Sequence, residues 1–279
     1  MFLEIYQEDI RRKLNNVWRM ERKSIVTMKN YNLSLNELFR KLPVYFDEIT
    51  ADDLVAYCLT IDGITKRDLQ ITMIRAIYRI YLGITLDWKL FPYARRKKKI
   101  QPRFTTDEVQ RLLDHTSNQK HKLLILIQFA AGLRVGELVI LKKCDLYKEQ
   151  GCLFIDGEGI SNDRFVPLPE DIYNHLCRYA AELKENDYLW PGQYGSHLST
   201  RSVQEIIAES KKKAGITHSA STHGLRRGYA TESVRAGAHL LALRDILGHS
   251  DVRTTEIYTS TNIAFLKEQF NPARELKIA

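Results

Sequence analysis

A run of like charge divides this 279-residue chain before any other feature does. Positions 94–103 read ARRKKKIQPR, and Arg95, Arg96, Lys97, Lys98, Lys99 and Arg103 place six positive charges in ten residues. Such a segment repels itself and resists burial, so it reads as a linker between a region 1–93 and a region 104–279. Each region is long enough to bury a core of its own. The run is either a solvated tether or a strip of charge laid along phosphates.

The first region reads as helical almost throughout. Ile10, Leu14 and Val17 recur at helical spacing, and a stronger stripe is formed by Ile74, Ile77, Tyr78 and Tyr81. Thr50 followed by Asp53 predicts an N-cap and an acidic first turn. A bundle of four or five helices is the simplest sum. Arg75 and Arg79 lie four residues apart on the other side of the last helix, either as a solvated face or as a surface that reads DNA bases.

The second region is mixed. Thr106, Asp107 and Glu108 open a helix, LLILIQFAAG predicts a buried helix ended by Gly132, and RVGELVILKK resumes helically. CLFIDGEGISNDRFVPLP reads as two short strands around a turn. Further helices are expected over 172–183, 203–214, 225–236, 240–247 and 251–258. The fold class is therefore mostly α with a small antiparallel β-hairpin, an α+β arrangement in two domains.

Composition narrows the function classes. A 44% hydrophobic and 27% charged chain is ordinary for a globular protein. No window approaches a membrane span, and the charged start MFLEIYQEDIRRK does not resemble a secretory signal, so a cytoplasmic, nucleoid-associated protein is expected. Cys58, Cys144, Cys152 and Cys177 form no pair with metal spacing and read as reduced packing thiols. A formal charge of +8 is compatible with a polyanionic partner without requiring one.

The chemistry concentrates in THGLRRGYATESVRAGAHLLALRDILGHSDVRTTEIYTS. His223 and Arg226, three apart at a helix start, can point into one site. Gly248 ends the next helix and leaves His249 on a turn, and Ser250 can cap a helix whose later turn carries Tyr258. Taken singly, each has a bland explanation as a packed or surface-paired residue. Arg134, after the Gly132 helix break, has Glu137 three residues on to hold it by an ion pair.

GLRVGEL, HGLR, LGHS and a tyrosine nine residues after that histidine, in this order and spacing, resemble the signature of the tyrosine recombinase (phage integrase) family, closest to its Xer-type and integron-type members. The resemblance spans roughly 100 to 270. It implies a helical core-binding domain, a linker and a catalytic domain that clamp double-stranded DNA, with strand exchange by a homotetramer on paired sites, although a monomer in solution is compatible. It implies that Arg134, Arg226 and His249 hold the scissile phosphate, that His223 takes or relays the phenol proton, and that Tyr258 is the nucleophile. No metal, cofactor or membrane is expected in this scheme.

Two positions depart from the family pattern. The hairpin turn, where a lysine is expected to protonate the leaving oxygen, carries Glu158 in GEGISN. Three readings compete: another lysine reaches in, the enzyme is slow, or the copy is defective. The rivals are accordingly a catalytically impaired DNA-binding relative and a helical DNA-binding regulator. Arg227 stands where the family often has a second histidine. In the tail, Ile263, Leu266 and Phe270 form a short stripe that docks either on its own domain or on a neighbouring protomer.

Overall fold

Helix starts in this protein are fixed by short side chains that replace missing backbone partners. Thr50 Oγ1 accepts from the Asp53 amide at 3.2 Å while the Asp53 carboxylate accepts from the Thr50 amide at 3.3 Å. Thr105 and Glu108 make the same reciprocal pair at 3.3 and 3.0 Å, so the helix opens at Thr106 as expected, capped by the residue before it. The computed structural model describes residues 2–93, 101–157, 163–248 and 271–277. The chain divides into two compact units, Met1–Lys98 and Lys99–Ala279.

The first unit contains α1 (Phe2–Met20), α2 (Ile25–Lys41), α3 (Ala51–Leu59) and α4 (Ile64–Ala76), and α4 runs into a π-helix over Ile77–Leu82. Its core is built from Ile10, Leu14 and Trp18 of α1, Leu35 and Leu38 of α2, and Ile71, Ile74, Ile77 and Tyr78. Two stripe positions differ from the helical reading. Trp18 is buried where Val17 was expected, and Tyr81 is only half-buried because the helix widens at Ile77. Asn15 and Asn32 join α1 to α2 by a reciprocal amide pair at 2.9 and 2.8 Å, which satisfies polar groups inside the contact.

Arg75 does not lie on an open face. Its Nη2 donates to the Phe91 carbonyl at 3.0 Å, and its guanidinium stands 4.3 Å from the centre of the Tyr93 ring. Arg79 is exposed, and its nearest carboxylate is Glu21 at 4.0 Å. The two arginines expected to share a surface therefore have different surroundings.

The second unit is assembled around α6 (Gln119–Ala130), whose residues from Leu123 to Ala130 are all buried. Packed about it are α5 (Thr106–Asp114), α7 (Val135–Ile140), α8 (Glu170–Tyr179), α9 (Thr200–Lys213), α10 (Thr222–Arg235) and α11 (Leu240–Leu247). The helix expected to run through Lys143 stops at Leu141. There the Lys142 amide donates to Asp145 Oδ2 at 2.8 Å and opens a short 3-10 turn instead. The hairpin is β2 (Cys152–Ile155) against β3 (Arg164–Pro167), with Ile155 opposite Arg164. A third strand, β1 (Leu146–Tyr147), pairs antiparallel with β2 and was too short to show a pattern of its own.

The fold is thus mostly helical with one small antiparallel sheet. Among the described residues no helix is long and apolar enough to cross a membrane. The tail stripe Ile263, Leu266 and Phe270, like the helix expected over 251–258, lies outside the described residues. The later tail segment docks on its own unit: buried Asn271 donates to the Ala130 carbonyl at 2.8 Å, and the Lys277 amide donates to Gln110 at 2.8 Å.

The exit of the basic linker is fastened to α10. Arg227 donates to the Pro102 carbonyl at 3.2 and 2.9 Å, and the Phe104 amide donates to the Gly224 carbonyl at 3.3 Å. Gly228 permits this approach, since a Cβ there would lie 2.2 Å from the Phe104 carbonyl oxygen. Gly228→Ala is expected to lower stability by about 1–3 kcal/mol through forced backbone displacement. Chemical denaturation of the two proteins side by side measures it; equal midpoints would show that the Phe104 segment yields without strain.

Candidate active site

The site begins at the break after α6. Gly132 takes a left-handed conformation (φ +59°) and lies so close to α10 that a Cβ would meet the Tyr229 ring at 2.7 Å. The chain then turns extended at Arg134, the N-cap of α7. The backbone amide of Arg134 donates to Glu137 Oε2 at 2.8 Å, and its Nη1 donates to Glu137 Oε1 at 2.7 Å. Backbone and side chain of one arginine thereby each hold one oxygen of the same carboxylate.

Two more guanidinium groups converge on that carboxylate. Arg164, at the start of β3, donates to Glu137 Oε1 at 3.2 Å and Oε2 at 2.9 Å. Arg226, on the second turn of α10, lies 3.7 Å from Glu137 Oε2 and donates to the Gly132 carbonyl at 2.9 Å. Arg164 and Arg226 are buried, as is Glu137. Burial alone would push the Glu137 carboxyl up, but the hydrogen bonds and charges of Arg164 and Arg134 overcome it and hold the group at about 2. Arg226 is also lowered, to about 10, through burial and the repulsion of Arg134.

The same arginines close the end of α11. Arg164 Nε donates to the Ile246 carbonyl at 2.7 Å, Arg226 donates to the Leu247 carbonyl, and Arg134 Nη2 lies 3.4 Å from the Gly248 carbonyl. Three successive carbonyls at the negative end of a helix dipole each face a different guanidinium. Gly248 ends the helix in a left-handed conformation (φ +63°), and a Cβ there would sit 2.8 Å from Arg164 Nη1. His249 follows directly in the sequence.

His223 stands exposed on the first turn of α10. Loss of solvent around the ring, with the charges of Arg227, Arg226 and Arg134 adding to it, lowers its pKa below the ordinary 6.5. The imidazole is therefore neutral at pH 7 and able to accept a proton. Three guanidinium groups against one carboxylate leave a surplus of two positive charges in this cluster. Such a surplus in a partly buried place suits a phosphate, whose oxygens would complete the balance.

The structure therefore brings Arg134, Glu137, Arg226 and His223 together. His249, Tyr258, Glu158 and the linker residues Arg95, Arg96, Lys97, Lys98 and Lys99 lie outside the described residues. Arg103 is half-buried in the second unit, and Arg75 and Arg79 belong to the first unit. Sequence reasoning missed Arg164. The available signal was its phase: it shares a strand face with buried Val166, and a buried arginine requires a carboxylate. Among the described residues no cluster of His, Cys, Asp and Glu has the make-up of a metal site.

Comparison with known proteins agrees with this geometry. A lambda integrase tetramer bound to a Holliday junction superposes with a TM-score of 0.70 at 18% identity, covering 91% of this chain and 80% of that one. The fold is that of lambda integrase. Residues 102–264 match the Phage integrase family. Tyrosine recombinase XerD of Neisseria meningitidis serogroup B is 30% identical, with 90% of this chain and 92% of its own length covered. Tyrosine recombinase XerA of Pyrococcus horikoshii is 27% identical over 97% of this chain and 95% of its own. The chain belongs to the phage integrase family and is a site-specific tyrosine recombinase.

Because the Glu137 carboxyl is depressed from 4.5 to about 2, its contribution to stability is complete above pH 4.5 and is lost as pH falls through about 2. Glu137→Gln leaves three guanidinium groups uncompensated and is expected to lower stability at neutral pH by roughly 3–5 kcal/mol. The gap from the parent protein should narrow as pH falls from 4.5 towards 2. Denaturant unfolding at several pH values checks this, and a gap independent of pH would rule out the charge argument.

Proposed function

We propose that this recombinase cuts and rejoins DNA through a 3′-phosphotyrosine at Tyr258, with Arg134 and Arg226 holding the scissile phosphate. The observation that carries this reading is the excess of guanidinium over carboxylate around Glu137 among the described residues, where the GLRVGEL and HGLR motifs meet. In-line attack on a phosphodiester puts extra negative charge on its non-bridging oxygens. Fixed, always-charged forks meet that charge with no reorganisation at the moment of reaction. Neutral His223 takes or relays the proton from the Tyr258 hydroxyl as it attacks phosphorus, and the 5′ oxygen leaves. His249, next after the arginine-capped end of α11, donates a further hydrogen bond to the phosphate. The phosphotyrosine conserves the bond, so a 5′ hydroxyl from a second strand rejoins it without a nucleotide.

The leaving oxygen needs a proton. The register of β2 and β3 confines the hairpin turn to residues 156–163, and the Gly157 amide donates to Asp163 at 2.9 Å across its base. By its place in the sequence Glu158 follows Gly157, and its position lies outside the described residues. An ionised carboxylate there donates no proton and repels a phosphate. Region 1–93 serves as the core-binding domain, 94–103 as a basic linker on phosphate, and 104–279 as the catalytic domain. Double-stranded DNA is the substrate, in the cytoplasm at the nucleoid, and a homotetramer on paired sites carries out exchange, as the tetrameric state of lambda integrase on a junction supports.

Tyr258→Phe is expected to retain binding to the cognate duplex and to give no covalent adduct on a denaturing gel with a nicked substrate. An adduct from that variant would remove Tyr258 as the nucleophile. Glu158→Lys should speed single-turnover cleavage on the order of 10²-fold, the usual scale of general acid catalysis. An unchanged rate would mean that another group already supplies the proton.

A further inference from the structure

One member of the arginine cluster has no part in the scheme above. Arg164 turns its Nε, Nη1 and Nη2 donors onto the Ile246 carbonyl and the two oxygens of Glu137, at 2.7, 3.2 and 2.9 Å. Only 6% of its side chain is exposed. Those donors point into the protein, where they hold other groups.

We propose that Arg164 is a positioning residue for recombination, clamping Glu137 and the end of α11 together so that Arg134 keeps a fixed relation to the phosphate. This rests on the phosphate-holding role assigned to Arg134. The argument is geometric. Glu137 is gripped by Arg134 from one side, through a backbone amide and one side-chain nitrogen. The carboxylate torsion of a glutamate is broad and two-fold, so one partner does not fix it. The planar fork of Arg164 meets both oxygens from β3 and closes that freedom. Its third donor reaches the carbonyl two residues before Gly248, whose missing Cβ lets the backbone pass against the guanidinium plane.

The clamp also ties the hairpin to the site. Arg164 follows Asp163, the residue that accepts from the Gly157 amide at the base of the turn. Displacement of the turn would therefore pull on Glu137 through a single residue. Lysine at 164 keeps the charge but offers no planar fork to span both carboxylate oxygens and the carbonyl.

The test is single-turnover cleavage of a nicked cognate duplex by the parent, Arg164→Gln, Arg134→Lys and the double variant, with binding and thermal unfolding measured on each. Expected is an R164Q cleavage rate down about 10²-fold, the scale of a misplaced catalytic group, with duplex binding retained. Because Arg164 works through Glu137 on Arg134, the double variant should be no slower than the slower single one. Multiplying rate losses, a parental rate for R164Q, or a loss equal to its unfolded fraction would each overturn the proposal. If R164Q does not fold, R164K takes its place in the same cycle, with a smaller expected loss and the same criterion. No adduct from the parent protein would overturn the cleavage reading, and this proposal with it; an adduct with no effect at 164 would overturn this proposal alone.

Discussion

The Glu137 carboxylate is the interaction on which the catalytic unit depends. Three guanidinium groups from three elements, Arg134 before α7, Arg164 on β3 and Arg226 on α10, meet on its two oxygens. A single buried carboxylate beside three cations does not neutralise them among the described residues. It offsets enough charge to let the helices and strand approach, and the excess is what the proposed phosphate would meet. That balance explains why the carboxyl sits at about 2 despite burial.

Further donors of the same arginines go to backbone carbonyls. The carbonyls of Gly132, Ile246, Leu247 and Gly248 all fall to them. A helix C-terminus buried without partners is expensive. Here the arginines proposed to meet the phosphate also satisfy the end of α11, so that helix cannot shift without disturbing them. Left-handed glycines at 132 and 248 bring both chain segments close enough for this sharing.

Much of this was legible in residues. Gly132 and Gly248 as helix stops, Glu137 as the partner of Arg134, and the capping pairs at Thr50 and Thr105 are local signals, decided within a turn or two of chain. So is the helical character of the first unit, where the stripe through Ile74, Ile77 and Tyr78 is buried. Errors arose where local pattern met packing: α7 stops at Leu141 because Asp145 captures the Lys142 amide, and Arg75 is taken by Phe91 and Tyr93 sixteen and eighteen residues away.

By itself, then, the sequence supplied the candidate groups for the chemistry, since their types, order and spacing match what phosphoryl transfer requires. It also determined membership of the recombinase family. Only the tertiary structure decided that Arg164 joins Arg134 and Arg226 on one carboxylate and that all three arginines face the end of α11. The physical reason is distance along the chain. Glu137 and Arg164 are 27 residues apart, and Arg164 and Ile246 are 82 apart. No periodicity reaches across such gaps, and only the packing of β3 and α11 about the buried α6 brings them within a hydrogen bond.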